Sequence, residues 1–310
     1  MSKLVDMSVE FAGLTLANPV FTASGTCGYA DELKDFFDAG RLGGFITKSI
    51  TLKPRRGNPV PRIVETDAGM LNAIGLANIG LERFIEEKLP VIAEMKTAVF
   101  VNVAGETIDE YVQVAEVLAE KDGIAGLELN ISCPNVRQGG ITFGTDPVLI
   151  KEITAIVKRA CPNKILMVKL TPSVTDISAT AQAAVEAGAD ALSLVNTFTA
   201  MAIDIETGKP ILANRTGGLS GPAIKPIALY LVNKVYNEVA KDADIPILGL
   251  GGIRTTTDAL EFLIAGATAV AIGTGNFIDP AAATKIIEGI EKYCERKEIV
   301  RVTDLVGTLQ

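Results

Sequence analysis

The chain has 310 residues, 48% of them hydrophobic, and a formal net charge of −8. An acidic chain without a basic run is a poor partner for nucleic acid or an anionic membrane surface, and we expect neither. No stretch approaches the roughly 18 consecutive apolar residues of a membrane span, and the first residues lack the apolar core of a secretion signal, so we expect a cytoplasmic protein.

The predicted elements begin with two short alternating runs, Met7–Phe11 and Leu14–Leu16, which predict a hairpin. Beyond them, apolar runs of strand length alternate with helical patterns. The predicted strands are Pro19–Ala23, Gly44–Lys48, Ala98–Val103, Gly126–Asn130, Ile165–Leu170, Ala191–Asn196, Pro246–Gly249 and Ala269–Gly273. The predicted helices are Asp31–Asp38, Leu81–Lys88, Ile108–Glu120, Pro147–Ala160, Ile177–Ala187, Pro226–Ala240, Thr257–Ala265 and Pro280–Lys292.

Strand–helix alternation repeated eight times indicates parallel pairing. It predicts an α/β fold, a single (β/α)₈ TIM barrel of residues 1–310 preceded by the hairpin. A doubly wound open sheet is the alternative, but no GxGxxG follows the first strand. Two connections, Ser49–Gly80 and Thr197–Lys225, are long insertions after strands 2 and 6. Loops of this length are usually functional or disordered, and barrels build active sites at these strand ends.

The stretch Gly126–Thr145 is typical of a catalytic loop. A buried strand ends at Asn130, and Cys133 follows in a polar segment, where Pro134 favours an extended conformation. Asp146 and Pro147 are expected to cap and start the next helix. Cys133 is therefore either a catalytic thiol or a small buried hydrophobe, as free cysteines often are.

Histidine is absent, which removes the commonest general base and all imidazole metal ligands. The four cysteines are Cys27, Cys133, Cys161 and Cys294. None forms a CxxC pair, so we expect no metal site on this chain, and without a secretion signal we expect no disulfide. Proton chemistry would fall to cysteine, carboxylate, lysine or tyrosine.

The predicted strands end repeatedly in polar residues or glycines. These ends are Ala23-Ser24-Gly25, Lys48-Ser49, Asn102, Asn130, Lys169, Asn196-Thr197, Gly251-Gly252 and Gly273-Thr274. Any one could be a solvated strand tip, but together they predict a shared site. Glycines after strands 7 and 8, with Gly217–Gly221, indicate close backbone approach to a phosphate. The asparagines, with Asn72 from a lid, suit a polar ring or a carboxylate.

These residues resemble the class 1 dihydroorotate dehydrogenases, more closely the B type than the A type. The motifs are ASGTCG (23–28), KSIT (48–51), GNPVPR (57–62), GMLNAIGL (69–76), NVAG (102–105), ELNISCPN (128–135), VKLTP (168–172), NT (196–197), GGLSGPAIKP (217–226), GLGGI (249–253) and AIGTGNF (271–277). The resemblance covers essentially the whole chain. One departure is Ile79, where we expect proline.

The resemblance implies a flavin mononucleotide (FMN) barrel that oxidises dihydroorotate to orotate in pyrimidine synthesis. Cys133 would be the base that takes a proton from the substrate ring. The positions that match FMN contacts are Ser24, Lys48, Ser49, Asn102, Asn130, Lys169, Val195, Gly221, Gly251, Gly252, Gly273 and Thr274. The positions that match substrate contacts are Lys48, Asn72, Ala73, Ile74, Gly75, Leu76, Asn130, Asn196 and Thr197.

The B type implies a homodimer of this barrel within a heterotetramer. Its second subunit would carry FAD and a 2Fe–2S cluster and pass electrons to NAD⁺. The A type would be a lone homodimer that uses fumarate. Two further alternatives are a lyase in which Lys169 forms a Schiff base with a phosphorylated sugar, and a non-catalytic flavin-binding scaffold.

Overall fold

A computed structural model of the protein describes residues 5–30, 32, 35–36, 38–132, 137–138 and 141–310, with only the backbone at 137–138 and 141–143. Eight parallel strands form a closed barrel in which each strand pairs with the next and the last with the first. In chain order these are β1 Val20–Thr22, β2 Gly44–Ile46, β3 Ala98–Val103, β4 Gly126–Asn130, β5 Ile165–Lys169, β6 Ala191–Leu194, β7 Ile247–Leu250 and β8 Ala269–Ile272. The predicted barrel is thereby confirmed.

From β2 onwards, helices alternate with these strands as the sequence predicts. The α-helices are Leu81–Arg83, Leu89–Ala93, Ile108–Ala119, Pro147–Ala160, Ile177–Glu186, Lys225–Val235, Lys241–Ala243, Thr256–Ile264, Gly275–Ile278 and Ala282–Arg296. Two π-helical segments, Phe84–Lys88 and Tyr236–Ala240, continue preceding helices, and 3₁₀ turns lie at Ala39–Arg41, Phe143–Thr145, Pro222–Ile224 and Val302–Leu305. None of the helices in the described ranges combines the length and the apolar composition that a membrane crossing demands.

Two local features act at the ends of helices, and the first, the Asp146 cap, is the one predicted above. The Asp146 carboxylate accepts a hydrogen bond from the amide of Val148, which caps the helix that starts at Pro147. Gly266, with φ of +116°, follows the helix that ends at Ile264; a side chain there would also strike the Tyr236 ring.

One predicted helix differs from the structure. In the predicted span Asp31–Asp38, the described residues Glu32, Asp35 and Phe36 lie in turns, and Asp38 caps a short 3₁₀ turn. Residues 31, 33, 34 and 37 lie outside the described residues. A carboxylate that accepts from a nearby backbone amide, as Asp38 does from Gly40, competes with helix formation.

An aromatic cluster fills the amino-terminal end of the barrel. The strands Val9–Phe11 and Leu14–Leu16 pair as the predicted hairpin, and Phe11 packs against Phe21 of β1 and Phe100 of β3. All three rings are fully buried. They leave no room for a side chain at the start of β2, since a β-carbon on Gly44 would lie 1.9 Å from the Phe21 ring.

The two long connections form a second, smaller sheet over the opposite end of the barrel. Four antiparallel strands lie in the order Phe198–Ala200, Gly217–Ser220, Gly69–Asn72 and Ile63–Thr66. We call this the lid sheet; its own small core contains Leu71, Ala73 and Leu212. The insertions after β2 and β6 are therefore ordered by pairing with each other, which separate analysis of each insertion does not predict.

The cluster at the amino-terminal end leads to a stability prediction. Phe11→Ala removes a fully buried ring from the rigid barrel and should lower the free energy of unfolding by about 3–5 kcal/mol. Phe277→Ala is the matched control, because Phe277 is 57% exposed and its loss should change stability by less than about 1 kcal/mol. Chemical denaturation of both variants measures the difference; equal destabilisation would show that the cluster does not support the barrel.

Candidate active site

Polar side chains cluster where four neighbouring barrel strands end. Asn102 lies on β3, Glu128 and Asn130 on β4, Lys169 on β5 and Ser193 on β6. The parallel register aligns Asn102 with Glu128, and Lys169 with both Asn130 and Ser193. Glu128 reaches past β5 to contact Ser193, so its side chain points into the barrel. The sequence-predicted residues Asn102, Asn130 and Lys169 are thus brought together.

Glu128 is the centre of this cluster, and its carboxylate is completely buried. Its Oε1 accepts a hydrogen bond from Ser193 Oγ at 2.8 Å. Its Oε2 accepts one from Asn102 Nδ2 at 2.5 Å and lies 3.5 Å from Lys169 Nζ. A buried carboxylate requires such partners, because removing a charge from water is costly unless it is paired and hydrogen-bonded.

Glu128 and Ser193 are not among the residues that the sequence predicts for the site. The apolar residues Leu127 and Leu129 predict a buried strand, and Glu128 between them has no predicted role. Strand periodicity contained the missing signal, because Glu128 and Asn130 are two positions apart and share a face. A charged residue on the inward face of a buried strand must have a partner on a neighbouring strand.

Asn130 joins this cluster to the loop that follows β4. Its Nδ2 lies 3.5 Å from Asn102 Oδ1, and its Oδ1 accepts a hydrogen bond from the amide of Ser132. Tyr111, from the helix Ile108–Ala119, donates its hydroxyl to the Asn130 carbonyl at 2.7 Å. The end of β4 is thereby held firmly. The predicted catalytic residue Cys133 lies outside the described residues.

The loops after β1 and β2 place their predicted residues beside the same end. Lys48 is half-buried, and its amide donates to the Gly28 carbonyl in the β1 loop. Ser49 is 8% exposed, and Ser24 is half-buried. After Ser49 the chain runs alongside β3, where Ile50 donates to the Asn102 carbonyl.

Glycines after β6, β7 and β8 form a backbone cradle at the other side of the barrel mouth. Gly221, Gly251 and Gly252 have φ of +94°, +136° and +78°. A β-carbon on Gly252 would lie 2.8 Å from the Gly221 carbonyl, so these two loops touch through their backbones. The Thr274 hydroxyl donates to Ser220 Oγ at 2.7 Å and joins the β8 loop to them.

The cradle is suited to an anion. In the described part of the chain, no oxygen accepts a hydrogen bond from the amides of Gly252, Gly273 or Thr274. Donors of this kind that converge from neighbouring loops bind phosphate oxygens. Val195, also predicted to contact a cofactor, is buried at the end of β6 and donates its amide to the Leu250 carbonyl.

The lid sheet brings the predicted substrate residues towards this mouth. Asn72 Nδ2 donates to the Gly218 carbonyl at 3.4 Å. Gly218 also lies against Thr197, whose Oγ1 would be 2.0 Å from a β-carbon there. Asn196 Oδ1 accepts a hydrogen bond from the backbone amide of Thr197. The backbone amide of Asn196 donates to the carbonyl of Leu170, which follows β5. Asn72, Asn196 and Thr197 therefore belong to one region.

The remaining predicted substrate residues turn back against the segment at 58–62. Ala73 donates its amide to the Arg62 carbonyl, and the Ile74 carbonyl accepts from the amide of Asn58. Gly75 and Leu76 both have positive φ, of +71° and +56°, in the turn that follows. The hydrogen bonds to Asn58 and Arg62 fix the backbone at the start of this turn.

The other cysteines are unsuited to act as bases. Burial raises the pKa of the Cys27 thiol and of the Cys161 thiol to about 11, and it also raises the pKa of Cys294. Cys27 Sγ lies 3.1 Å from Asn276 Nδ2, close to the β8 loop. All three are buried and stay protonated at neutral pH.

Comparison with known proteins identifies relatives along the full chain. The model of the dihydroorotate dehydrogenase family matches residues 6–294. Proteins from Pelobacter propionicus and Geotalea uraniireducens, both named dihydroorotate dehydrogenase B (NAD(+)), catalytic subunit, are each 55% identical. The alignments cover 98% of this chain and 99% and 98% of those proteins. A crystal structure of the Eimeria tenella dihydroorotate dehydrogenase with ferulenol superposes with a TM-score of 0.82 at 25% identity, over 98% of this chain and 88% of that one.

The raised thiol pKa values predict which cysteines resist alkylation. At pH 8 a thiol with a pKa of about 11 is ionised in only about one molecule in a thousand, and the thiolate is the reactive form. Iodoacetamide at pH 8 should leave Cys27 and Cys161 unmodified in the folded protein. Peptide mapping by mass spectrometry reads the result, and the denatured protein, in which both are alkylated, is the control. Alkylation of either in the folded state at the denatured rate would contradict the assignment.

Proposed function

The chain belongs to the dihydroorotate dehydrogenase family, and we propose that it is the FMN-containing catalytic subunit of a B-type enzyme. It oxidises (S)-dihydroorotate to orotate in the de novo synthesis of UMP. The observation that carries the proposal is the meeting, at one barrel mouth, of a buried charged cluster, a glycine cradle with free amides and an amide-bearing lid. Relatives that are 55% identical over nearly their whole length support it. We propose one domain for the whole chain, acting in the cytoplasm.

The cradle and the cluster fit the two ends of FMN. The free amides of Gly252, Gly273 and Thr274 suit the phosphate, and the buried lysine suits the ring. When bound, FMN supplies the electron acceptor for the hydride that leaves the substrate. The residues that would hold it are Ser24, Lys48, Ser49, Asn102, Asn130, Lys169, Val195, Gly221, Gly251, Gly252, Gly273 and Thr274.

Lys169 would stabilise the negative charge that a flavin ring gains on reduction. It is only 5% exposed, so its charge is weakly screened by water. Its Nζ lies 3.5 Å from Oε2 of Glu128 inside the barrel, and this contact orients the ammonium group. The same contact argues against the Schiff-base alternative, because an ammonium engaged with a buried carboxylate is not a free nucleophilic amine.

The substrate would lie between the barrel mouth and the lid sheet. Lys48 offers a cation to the substrate carboxylate. The amides of Asn72, Asn130 and Asn196 offer donors and acceptors to a ring with alternating N–H and C=O groups. Thr197 and the turn from Ala73 to Leu76 complete the set that we propose. The lid sheet covers this end and would exclude water from the reaction.

Cys133 is the base in this proposal, and the motif ELNISCPN at 128–135 supports its assignment. It would take the proton from one ring carbon as hydride leaves the neighbouring carbon. A thiol has a pKa of about 8.5, so the base needs that pKa lowered or a proton transfer coupled to hydride loss.

The proposal includes a partner subunit. The relatives are named catalytic subunits of an NAD(+) enzyme, which supports a second chain that passes electrons to NAD⁺. We propose that this partner carries FAD and a 2Fe–2S cluster and that a homodimer of the barrel forms a heterotetramer with it.

The assignment of the base predicts the behaviour of Cys133→Ser. Its hydroxyl is a much weaker base than a thiolate, so dihydroorotate should reduce the bound flavin on the order of 10²-fold or more slowly. Flavin content should stay at the wild-type level. Cys161→Ser is the matched control, because this buried thiol lies at the end of a helix away from the mouth and its variant should reduce normally. Stopped-flow absorbance measures both; a normal rate in Cys133→Ser would exclude Cys133 as the base.

The subtype predicts which acceptors reoxidise the isolated chain. After anaerobic reduction by dihydroorotate, neither NAD⁺ nor fumarate should restore the flavin colour, because the electrons need the partner subunit. Visible spectra before and after each addition measure this. Recolouring by fumarate would identify an A-type enzyme, and recolouring by NAD⁺ would show that no partner is required.

A further inference from the structure

We propose that Glu128 is a positioning residue that sets the electrostatic potential around the flavin ring by balancing Lys169. The inference rests on the proposed flavin site and assigns a role to a residue outside the predicted site. Glu128 does not need to touch flavin or substrate in this role. It acts through Lys169 and Asn102, two residues of the proposed flavin site.

The contacts of Glu128 divide between its two oxygens. Ser193 on β6 donates to Oε1. Asn102 on β3 and Lys169 on β5 both contact Oε2. The carboxylate therefore links three strands other than its own. Complete burial leaves these neighbours, rather than water, to stabilise its charge.

Glu128 also determines which atom Asn102 presents to the rest of the site. A carboxylate only accepts hydrogen bonds, so Asn102 must turn its Nδ2 towards Glu128. Its Oδ1 then faces Asn130, whose Nδ2 lies 3.5 Å away. The carboxylate of Glu128 therefore sets the orientation of the side-chain amide of Asn102 and, through it, that of Asn130.

The second consequence is electrostatic. The charges of Glu128 and Lys169 sum to zero. The carboxylate therefore weakens the attraction that the Lys169 cation exerts on negative charge on a neighbouring flavin. Removing the negative charge leaves Lys169 uncompensated in a poorly screened interior, which favours the reduced flavin with its added negative charge. The carboxylate thus keeps the flavin potential lower than Lys169 alone would set it.

Glu128→Gln isolates this charge effect with little change of shape. The amide oxygen can still accept from Asn102, and the amide nitrogen can donate to the Ser193 hydroxyl, which can reverse its role. Redox titration at pH 6.5 against a dye of known potential should show about tenfold more reduced flavin at a fixed dye potential. For a two-electron couple, tenfold corresponds to an upward shift of about 30 mV.

Glu288→Gln is the matched control. It makes the same chemical change on an exposed ion pair with Arg41, where the carboxylate side chain is 49% exposed. Its flavin potential should equal that of the wild type. A potential in Glu128→Gln at or below the wild-type value would overturn the proposal, since a merely structural role would not raise it.

A second pair of variants keeps the test decisive if Glu128→Gln loses its flavin. Lys169→Met leaves Glu128 as an unbalanced anion, and adding Glu128→Gln to it restores neutrality. The double variant should have a higher potential than Lys169→Met, or bind flavin where both single variants lose it. Equal potentials in these two, or loss of flavin from all three variants, would contradict the proposal.

These outcomes separate this inference from the function on which it rests. A wild-type protein that binds no flavin, or whose flavin dihydroorotate does not reduce, would overturn the proposed function. A wild type that does both, with an unchanged potential in Glu128→Gln, would overturn only the role of Glu128.

Discussion

The structure depends on the partners that one carboxylate requires inside the barrel. Glu128 is completely buried, and three other strands supply its partners. Those partners cannot be apolar, because an unpaired buried charge costs several kcal/mol. The polar composition of the barrel mouth follows from this requirement. It also leaves a lysine cation and oriented amides at the end of the barrel where such folds perform chemistry.

The two ends of the barrel have opposite compositions for physical reasons. At the amino-terminal end, the rings of Phe11, Phe21 and Phe100 fill the interior and need no polar partners. At the carboxyl-terminal end, the polar cluster around Glu128 lies beside the glycine cradle, whose amides leave donors available for a ligand. The lid sheet lies over that end only. Stability and binding are thereby assigned to different layers of the same closed sheet.

Local patterns in the sequence are sufficient to predict the barrel, but not the strand pairing in the lid sheet. Eight apolar runs, the Asp146 cap and the glycine at 266 act within a few residues, so each can be predicted where it stands. The lid sheet pairs Gly69–Asn72 with Gly217–Ser220, segments that lie far apart in the sequence and whose pairing leaves no local signal. For Glu128, the strand period places the side chain on the same face as Asn130, but its partners could not be named because they come from three other strands.

We propose that this chain alone binds a flavin and oxidises dihydroorotate with it. The most direct test is an anaerobic titration of the purified chain with dihydroorotate, following the flavin band and the orotate formed. We expect the band to bleach with one orotate formed for each flavin reduced, without any partner present. A chain that binds flavin but neither bleaches nor forms orotate would contradict the claim, and the polar mouth would then have to serve another substrate.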